Sequence, residues 1–441
     1  MLNAAPLLFG AFFTIPAANF TQNSPLWDMM IWSCAFLMLG TWVSACALMG
    51  SPLEYMLLGQ WFVGLSIAIL VPVPAKYAMY WSPQEGRKIV STAWNWAMLL
   101  GMGLPFLVVP WACGGDGHGK HLGSFLLYKA AFGTAVAAVV TFLRANSGKN
   151  TGEAEEIAFY RHSNKESFWE TTKQCLRNGP LVTILSSLAV AISAGYSFFI
   201  FLPFILSLAP LSFTPFEAGL HLWCLAPAGL VGIAVVRSKV FYGLDQSRNY
   251  KSAVLSCIAG CAAFLAMFAF LHGRANSLAL TAAACGFSAS AAALLHLIAH
   301  AVLDVGYPIP EPTTSAFAAS IVFVASGLAP VVSILLTHPL VLDYATDAES
   351  PTGVILSMAG IFWMVLLALS FAIVLLGYDE ASASRLAVPA EPKVASFVAS
   401  RVAADLREAR AMSEMFVPLA KGSAGVGGRH SRLDDAVGES V

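Results

Sequence analysis

The sequence predicts an all-α, polytopic membrane protein, and two observations lead to this fold class. The chain of 441 residues is 58% hydrophobic and only 11% charged, whereas soluble domains carry about 25% charged residues. It also holds eleven apolar segments, each near the roughly 20 residues that a helix needs to cross a bilayer. Their length and lack of alternation exclude a barrel of strands. We therefore expect an integral, multi-pass helical bundle in the plasma membrane or an organelle membrane.

The predicted spans fall into two groups around one long charged loop. They lie near residues 3–20, 27–49, 53–81, 89–111, 122–143, 180–206, 216–236, 252–272, 277–303, 314–337 and 353–377. Twenty of the 24 Lys and Arg residues lie on alternate loops and in the tail. Cytoplasmic loops are enriched in these residues, so the long loop and the tail should be cytoplasmic.

This grouping predicts four regions: a first helical bundle over 1–145, a cytoplasmic connecting loop over 146–178, a second bundle over 179–378 and a partly disordered cytoplasmic tail over 379–441. Major facilitator superfamily transporters have six helices in each of two pseudo-repeats. Five spans precede the loop here, so we expect the chain to begin at what would be their second helix. Whether the first helix is missing from the protein or only from this sequence stays open. Within the loop, Phe168 to Leu176 could form a short helix on the membrane surface.

Motifs for enzymatic chemistry do not occur in the sequence. There is no GxSxG, HExxH, P-loop or GxGxxG that opens a helix after a strand. The eight cysteines have no CxxC spacing, so we interpret them as small residues compatible with a membrane. We expect no enzyme activity, no cofactor and no metal site. The expected partners are a small-molecule substrate and the lipid bilayer, without nucleic acid, and the expected state is a monomer.

A candidate gate lies between the seventh and eighth spans, in "FYGLDQSRNYKSAVL". It combines Gly243 and Asp245 with the basic residues Arg248 and Lys251. Glycine permits a tight turn, and the aspartate could hold a basic side chain or a helix N-terminus until the helices rock apart. The alternative is a solvated loop whose charges only set the topology.

Four stretches together resemble the feline leukaemia virus subgroup C receptor-related family of facilitators. They are "LLGQWFVGLSIAILVPVPAKYAMYWSP", "VSTAWNWAM", "EAGLHLWCLAPAGLVGIAVVRSKVFYGLDQSRNYKSAVL" and "DVGYPIPEPTTS". The resemblance implies a major facilitator fold and a cargo of choline, ethanolamine or haem. It also implies roles at the cytoplasmic side for Lys76, Asp304, Tyr307, Pro308 and Glu311. The chain departs from the family's choline site, since it contains neither the tryptophan of the first helix nor two glutamines of later helices.

Polar residues inside the apolar segments are candidates for the substrate cavity. His296 and His300 share a helix face with Asp304 at spacings of four residues, and an imidazole there could ligate haem iron or change charge near neutral pH. The alternative is a pair of half-buried histidines that hydrogen-bond between helices. Gln60 and Asn95 could likewise line the cavity or join helices.

Aromatic residues on the predicted cavity helices could bind a cation. Trp94, Trp96, Tyr196 and Phe198 are the candidates; a desolvated quaternary ammonium gains about 2 kcal/mol over such rings, and a porphyrin would stack on them. Plain packing is the alternative for each ring.

Together these features predict a secondary transporter that works by alternating access and carries a small organic cation or haem. The alternatives are a facilitator for another metabolite, such as a sugar or vitamin, and a transport-inactive receptor or scaffold.

Overall fold

The chain is helical through nearly all of the part that the structure describes. The computed structural model describes residues 5–49, 52–81, 84–112, 122–146, 168–207, 213–237, 250–272, 276–306, 309, 311–344 and 351–378. Its α-helices are α1 (Ala5–Asn23), α2 (Leu26–Ala45), α3 (Pro52–Leu70), α4 (Val73–Trp81), α5 (Gln84–Ala112), α6 (Leu122–Asn146), α7 (Phe168–Arg177), α8 (Gly179–Ser207), α9 (Pro215–Trp223), α10 (Leu225–Arg237), α11 (Tyr250–His272), α12 (Ser277–Gly306), α13 (Glu311–Tyr344) and α14 (Pro351–Gly377).

Ten helical stretches of the described residues are long and apolar enough to cross a membrane. They are Leu26–Leu48, Pro52–Tyr77, Thr92–Pro110, Gly123–Asn146, Gly179–Ser207, Pro215–Arg237, Tyr250–His272, Ser277–Val302, Thr313–Leu336 and Ala359–Gly377. Each overlaps one predicted span, and the predicted first span corresponds to α1, whose apolar part, Ala5–Thr14, is shorter. The prediction of a multi-pass helical membrane protein is confirmed.

Prolines explain why two of these spans consist of two helices each. Between α3 and α4, Pro72 and Pro74 supply no backbone N–H for a helical hydrogen bond. The bonds from Val71 N to Ile67 O and from Lys76 N to Pro72 O persist, so helical hydrogen bonding continues on both sides of the junction. Between α9 and α10, Pro227 similarly leaves the carbonyl of Trp223 without its i+4 donor.

The helices α8 to α14, which we call the second half, enclose one continuous apolar core. At its centre Phe198 of α8 meets Phe268 of α11, Phe287 of α12 and Trp363 of α14 at ring-centroid distances of 5.1, 4.8 and 5.6 Å. Phe198 has no exposed surface. These rings tie three neighbouring helices to α8.

The helices α1 to α6, the first half, pack through small residues and two small apolar clusters. The helix α3 lies between α1 and α2. A Cβ atom at Gly64 would lie 2.7 Å from the carbonyl oxygen of Pro6, and one at Gly40 would lie 2.7 Å from that of Gly59. Glycine is therefore required for these close helix contacts in the membrane.

The two halves meet along two seams. The helix α1 packs on α13, where a Cβ at Gly327 would lie 2.5 Å from Leu8 Cγ, and α5 packs on α9 and α10. The proposed bounds of the bundles stay a prediction. The residues from 147 to 167 in the predicted connecting loop, and the tail from residue 379, lie outside the described residues.

Candidate functional site

A buried polar contact joins the two halves. The side-chain amide of Asn95 on α5 lies with Nδ2 3.1 Å from Nδ1 of His296 on α12. Asn95 is 6% exposed and His296 is 3% exposed. The ring of His300, one turn further along α12, lies edge-on to that of His296 with a centroid distance of 4.6 Å. The structure thus brings Asn95 together with the predicted histidine pair, and we call these three residues the Asn–His centre.

Close packing positions the Asn–His centre. One turn away, Gly229 of α10 lies against both helices: a Cβ there would be 3.2 Å from Leu99 of α5 and 3.3 Å from Ala292 of α12. Leu99 and Ala292 each stand four residues from a member of the centre, so they share its helix faces. The small residue lets α10 approach α5 and α12 at once, one helical turn from Asn95 and His296.

The Asn–His centre has both a donor and an acceptor at one place. When Nδ1 of His296 is unprotonated, the amide of Asn95 donates to it; when Nδ1 carries a proton, the rotated amide can accept through its oxygen. A buried polar group that loses its partner costs about 1–3 kcal/mol. A solute that separates Asn95 from His296 must therefore replace their bond, and this favours solutes with polar groups.

The candidate aromatic residues do not share one environment. Tyr196 and Trp94 are half-buried, Trp96 is 43% exposed, and Phe198 is enclosed by the core of the second half. With no exposed surface, Phe198 has none to offer a substrate in this conformation. Gln60 on α3 is half-buried. The contribution of these residues to a cavity stays a prediction.

Two candidate gating lysines bind the carbonyls that end helices. Lys76, which is 1% exposed, donates from Nζ to the carbonyl oxygen of Ser24, the residue after α1. Lys251 donates to the carbonyl oxygen of Tyr378, the residue after α14, at 2.9 Å. The last carbonyls of a helix lack intrahelical partners and attract positive charge. Each lysine thereby ties a helix end to another helix.

The other gating candidates lie wholly or partly outside the described residues. Gly243, Asp245, Arg248, Tyr307 and Pro308 lie outside the described residues. Asp304 lies near the end of α12 and Glu311 begins α13, but their side chains fall outside the described part.

Serine pairs within each half were not predicted from the sequence. Ser33 of α2 and Ser66 of α3 lie 3.0 Å apart, and Ser187 of α8 and Ser370 of α14 lie 2.8 Å apart, measured between hydroxyl oxygens. All four are buried. Small hydroxyl residues are frequent between membrane helices, but the sequence gives no signal of which ones pair.

Searches with protein-family models and with curated protein sequences give no match. Solved structures do resemble this one. A D-xylose–proton symporter is 12% identical and matches with a TM-score of 0.65, over 86% of this chain and 87% of that chain. The E. coli fucose:proton symporter is 12% identical, with a TM-score of 0.55 over 86% and 90% of the two chains. The major facilitator transporter FucP in the outward conformation is 13% identical, with a TM-score of 0.58 over 86% and 89%.

The chain has the major facilitator fold. The predicted fold class is confirmed, and at these identities the likeness establishes the fold alone. The finer resemblance, to the feline leukaemia virus subgroup C receptor-related family, stays a prediction.

Proposed function

We propose that this protein is a secondary transporter that works by alternating access and carries a small organic cation of the choline or ethanolamine type, or haem. The observation that carries the proposal is the buried hydrogen bond between Asn95 and His296. Alternating access requires a site to which both bundles contribute and which changes when they rock. A contact between α5 and α12 meets that requirement.

Each cargo would rely on different side chains in addition to the bond between Asn95 and His296. A quaternary ammonium is held by aromatic faces, and Tyr196 and Trp94 are the half-buried rings on α8 and α5 that could supply them. Haem iron takes imidazole as an axial ligand, and His300 is the half-buried imidazole of the centre.

The cytoplasmic motif would serve as the gate of this transporter. In the proposal, Gly243, Asp245 and Arg248 hold the cytoplasmic side closed. Lys251 anchors the start of α11 to the end of α14 through Tyr378. Lys76 anchors the start of α4 to the end of α1 through Ser24. Asp304 and the turn of Tyr307, Pro308 and Glu311 would set the angle between α12 and α13.

A second cargo class is a sugar or another hydroxylated metabolite. The Asn–His centre offers the donor and acceptor that a hydroxyl needs, and the structurally similar proteins named above are sugar–proton symporters. Both cargo classes use the same centre, so transport measurements must separate them.

The test is uptake into proteoliposomes that contain the purified full chain, with radiolabelled choline, ethanolamine, haem, xylose and fucose assayed in parallel. We expect saturable uptake of choline, ethanolamine or haem. Replacing His296 and His300 together by Gln should lower that uptake by about tenfold, which corresponds to about 1.4 kcal/mol. Tyr196→Ala should lower the uptake of a cation more than that of haem.

The matched control is Ser187→Ala, which removes a buried hydrogen bond that lies within one half. It should change uptake by no more than about twofold once the amount of folded protein is equalised, because both serines lie within the second half and Ser370 keeps its hydrogen bond to the backbone oxygen of Ser187. Saturable uptake of sugars alone would replace the proposed cargo by the second class. No uptake of any solute by correctly folded protein would contradict the proposal and favour a receptor or scaffold.

A further inference from the structure

The short helix α7 lies at the ends of three membrane helices, on the side that the distribution of Lys and Arg predicts to be cytoplasmic. Directly after it, Asn178 donates from Nδ2 to the carbonyl oxygen of Val305 at the end of α12, at 2.9 Å, and its Oδ1 accepts from Leu181 N in the first turn of α8, at 3.1 Å. The helix α7 also packs against α8 and α13. Because α8 enters the membrane immediately after Asn178, α7 is held at the level of the inner membrane boundary.

One face of α7 is packed against the protein. Thr171, Thr172 and Cys175 are buried, and Cys175 has no exposed surface. Burial raises the pKa of the Cys175 thiol to about 11. This face fixes the rotation of α7 about its own axis.

Two large apolar side chains remain outside that packed face. Trp169 is 66% exposed and Leu176 is 60% exposed. With 3.6 residues per turn, Trp169, Lys173 and Leu176 fall within about 60° of the helix circumference. Trp169 and Leu176 form an apolar stripe beside the packed face, and Lys173 lies at the far edge of that stripe.

Charged residues occupy the next part of the helix surface. Lys173 is exposed and bonds Glu170 at 2.8 Å. The hydrogen bond and the charge of Lys173, together with the charge of Arg177, hold the pKa of Glu170 below its usual range. Since Lys173 and Glu170 compensate each other, Arg177 gives this surface its net positive charge. Around the helix, the order is therefore packed face, apolar stripe, basic residues and then the polar residues Glu170 and Gln174.

This order matches the layers that a helix meets at the inner surface of a bilayer. Tryptophan is enriched at the depth of the headgroups, and an interfacial helix buries its apolar side chains at the boundary between headgroups and acyl chains. Basic residues beside such a stripe are attracted by the anionic lipids of the cytoplasmic leaflet, with about 1 kcal/mol for each Lys or Arg.

We propose that Trp169 and Leu176 insert into the cytoplasmic leaflet and that Arg177, beside Lys173, binds the headgroup of an anionic phospholipid there. The helix α7 then anchors the start of the second half to the lipid surface. This role is independent of the proposed cargo, because the helices that α7 packs on are α8 and α13, and neither carries a residue of the Asn–His centre.

The experiment uses the full chain in nanodiscs that contain equal amounts of phosphatidylserine and phosphatidylcholine. Benzoylphenylalanine replaces Trp169 or Leu176 in two proteins, and Glu170 or Gln174 in two matched controls on the same helix. All four positions are exposed, so the fold should tolerate the probe, and size-exclusion chromatography of each protein checks this. After illumination, mass spectrometry measures the lipid attached to the peptide that contains α7.

We expect lipid adducts from positions 169 and 176 and at most traces from 170 and 174. At position 176, adducts with phosphatidylserine should exceed those with phosphatidylcholine by about fivefold, the ratio that about 1 kcal/mol gives, and Arg177→Gln should remove this excess. Equal lipid labelling at all four positions, or adducts from 169 and 176 with protein instead of lipid, would overturn the insertion. An excess of phosphatidylserine that persists in Arg177→Gln would overturn the role of Arg177.

Discussion

The two halves of the molecule hold their helices together in different ways. In the second half one continuous core runs through the helices, and Phe198 touches three aromatic rings from three other helices. Among the described residues of the first half, the buried apolar ones form separate small clusters, and glycines let the helix backbones approach. The second half therefore adds interlocking large side chains to close backbone contacts such as that between α10 and α12, where a Cβ at Gly232 would clash with the carbonyl oxygen of Ala289. The described part of the first half relies mainly on close backbone contact, as is common where lipid removes the hydrophobic driving force between helices.

The largest expected effect is the loss of the central ring of the second half. Phe198→Ala should lower the free energy of unfolding by about 3–5 kcal/mol, because it opens a cavity in a packed core. Phe36→Ala in the first half makes the same truncation at a partly buried ring that stacks on Phe62 at 6.4 Å. Phe36→Ala should lower the free energy of unfolding by clearly less than Phe198→Ala does. Unfolding in detergent, followed by circular dichroism, compares the two variants, and equal losses would contradict the difference between the halves.

A glycine substitution tests the first half directly. Gly64→Ala would place a methyl group 2.7 Å from the carbonyl oxygen of Pro6, and such overpacking costs about 1–3 kcal/mol. Gly360→Ala is the matched control, since a Cβ there has no neighbour within 4 Å. It should be neutral or stabilise α14 by up to about 1 kcal/mol. The same unfolding measurement compares the two variants. An unchanged free energy of unfolding in Gly64→Ala would show that α1 does not approach α3 so closely.

Thiol chemistry provides a smaller effect at α7, next to the start of the second half. The raised pKa of Cys175, about 11, and its complete burial leave almost no reactive thiolate at neutral pH. A water-soluble maleimide should therefore label Cys175 in the native protein far more slowly than in the denatured protein, at any pH up to about 9. Peptide mapping measures the labelling, and rapid native labelling at pH 7 would show that α7 does not stay packed.

The sequence predicted the spans and α7 well, since both depend on local composition. It could also name Asn95, His296 and His300, because polar residues in apolar helices stand out. It could not show that Asn95 and His296 meet, since 201 residues separate them and their distance depends on how two seams pack.

Phe198 illustrates a different limit of prediction from sequence. Tyr196 and Phe198 are two residues apart, so on a helix they point about 200° away from each other. Helix geometry therefore indicates that both rings cannot line one cavity in the same way, but composition alone could not tell which one faces the core. The structure buries Phe198 completely and leaves Tyr196 half-buried.

A double-mutant cycle on Asn95 and His296 tests most directly whether a hydrogen bond between them joins the two halves. The free energies of unfolding of Asn95→Ala, His296→Ala and the double variant would be measured in the same detergent as the wild type. If the 3.1 Å hydrogen bond joins α5 to α12, the two losses should be non-additive by about 0.5–3 kcal/mol. Losses that add within about 0.5 kcal/mol would mean that the two residues do not interact, and the site shared by both halves would be contradicted.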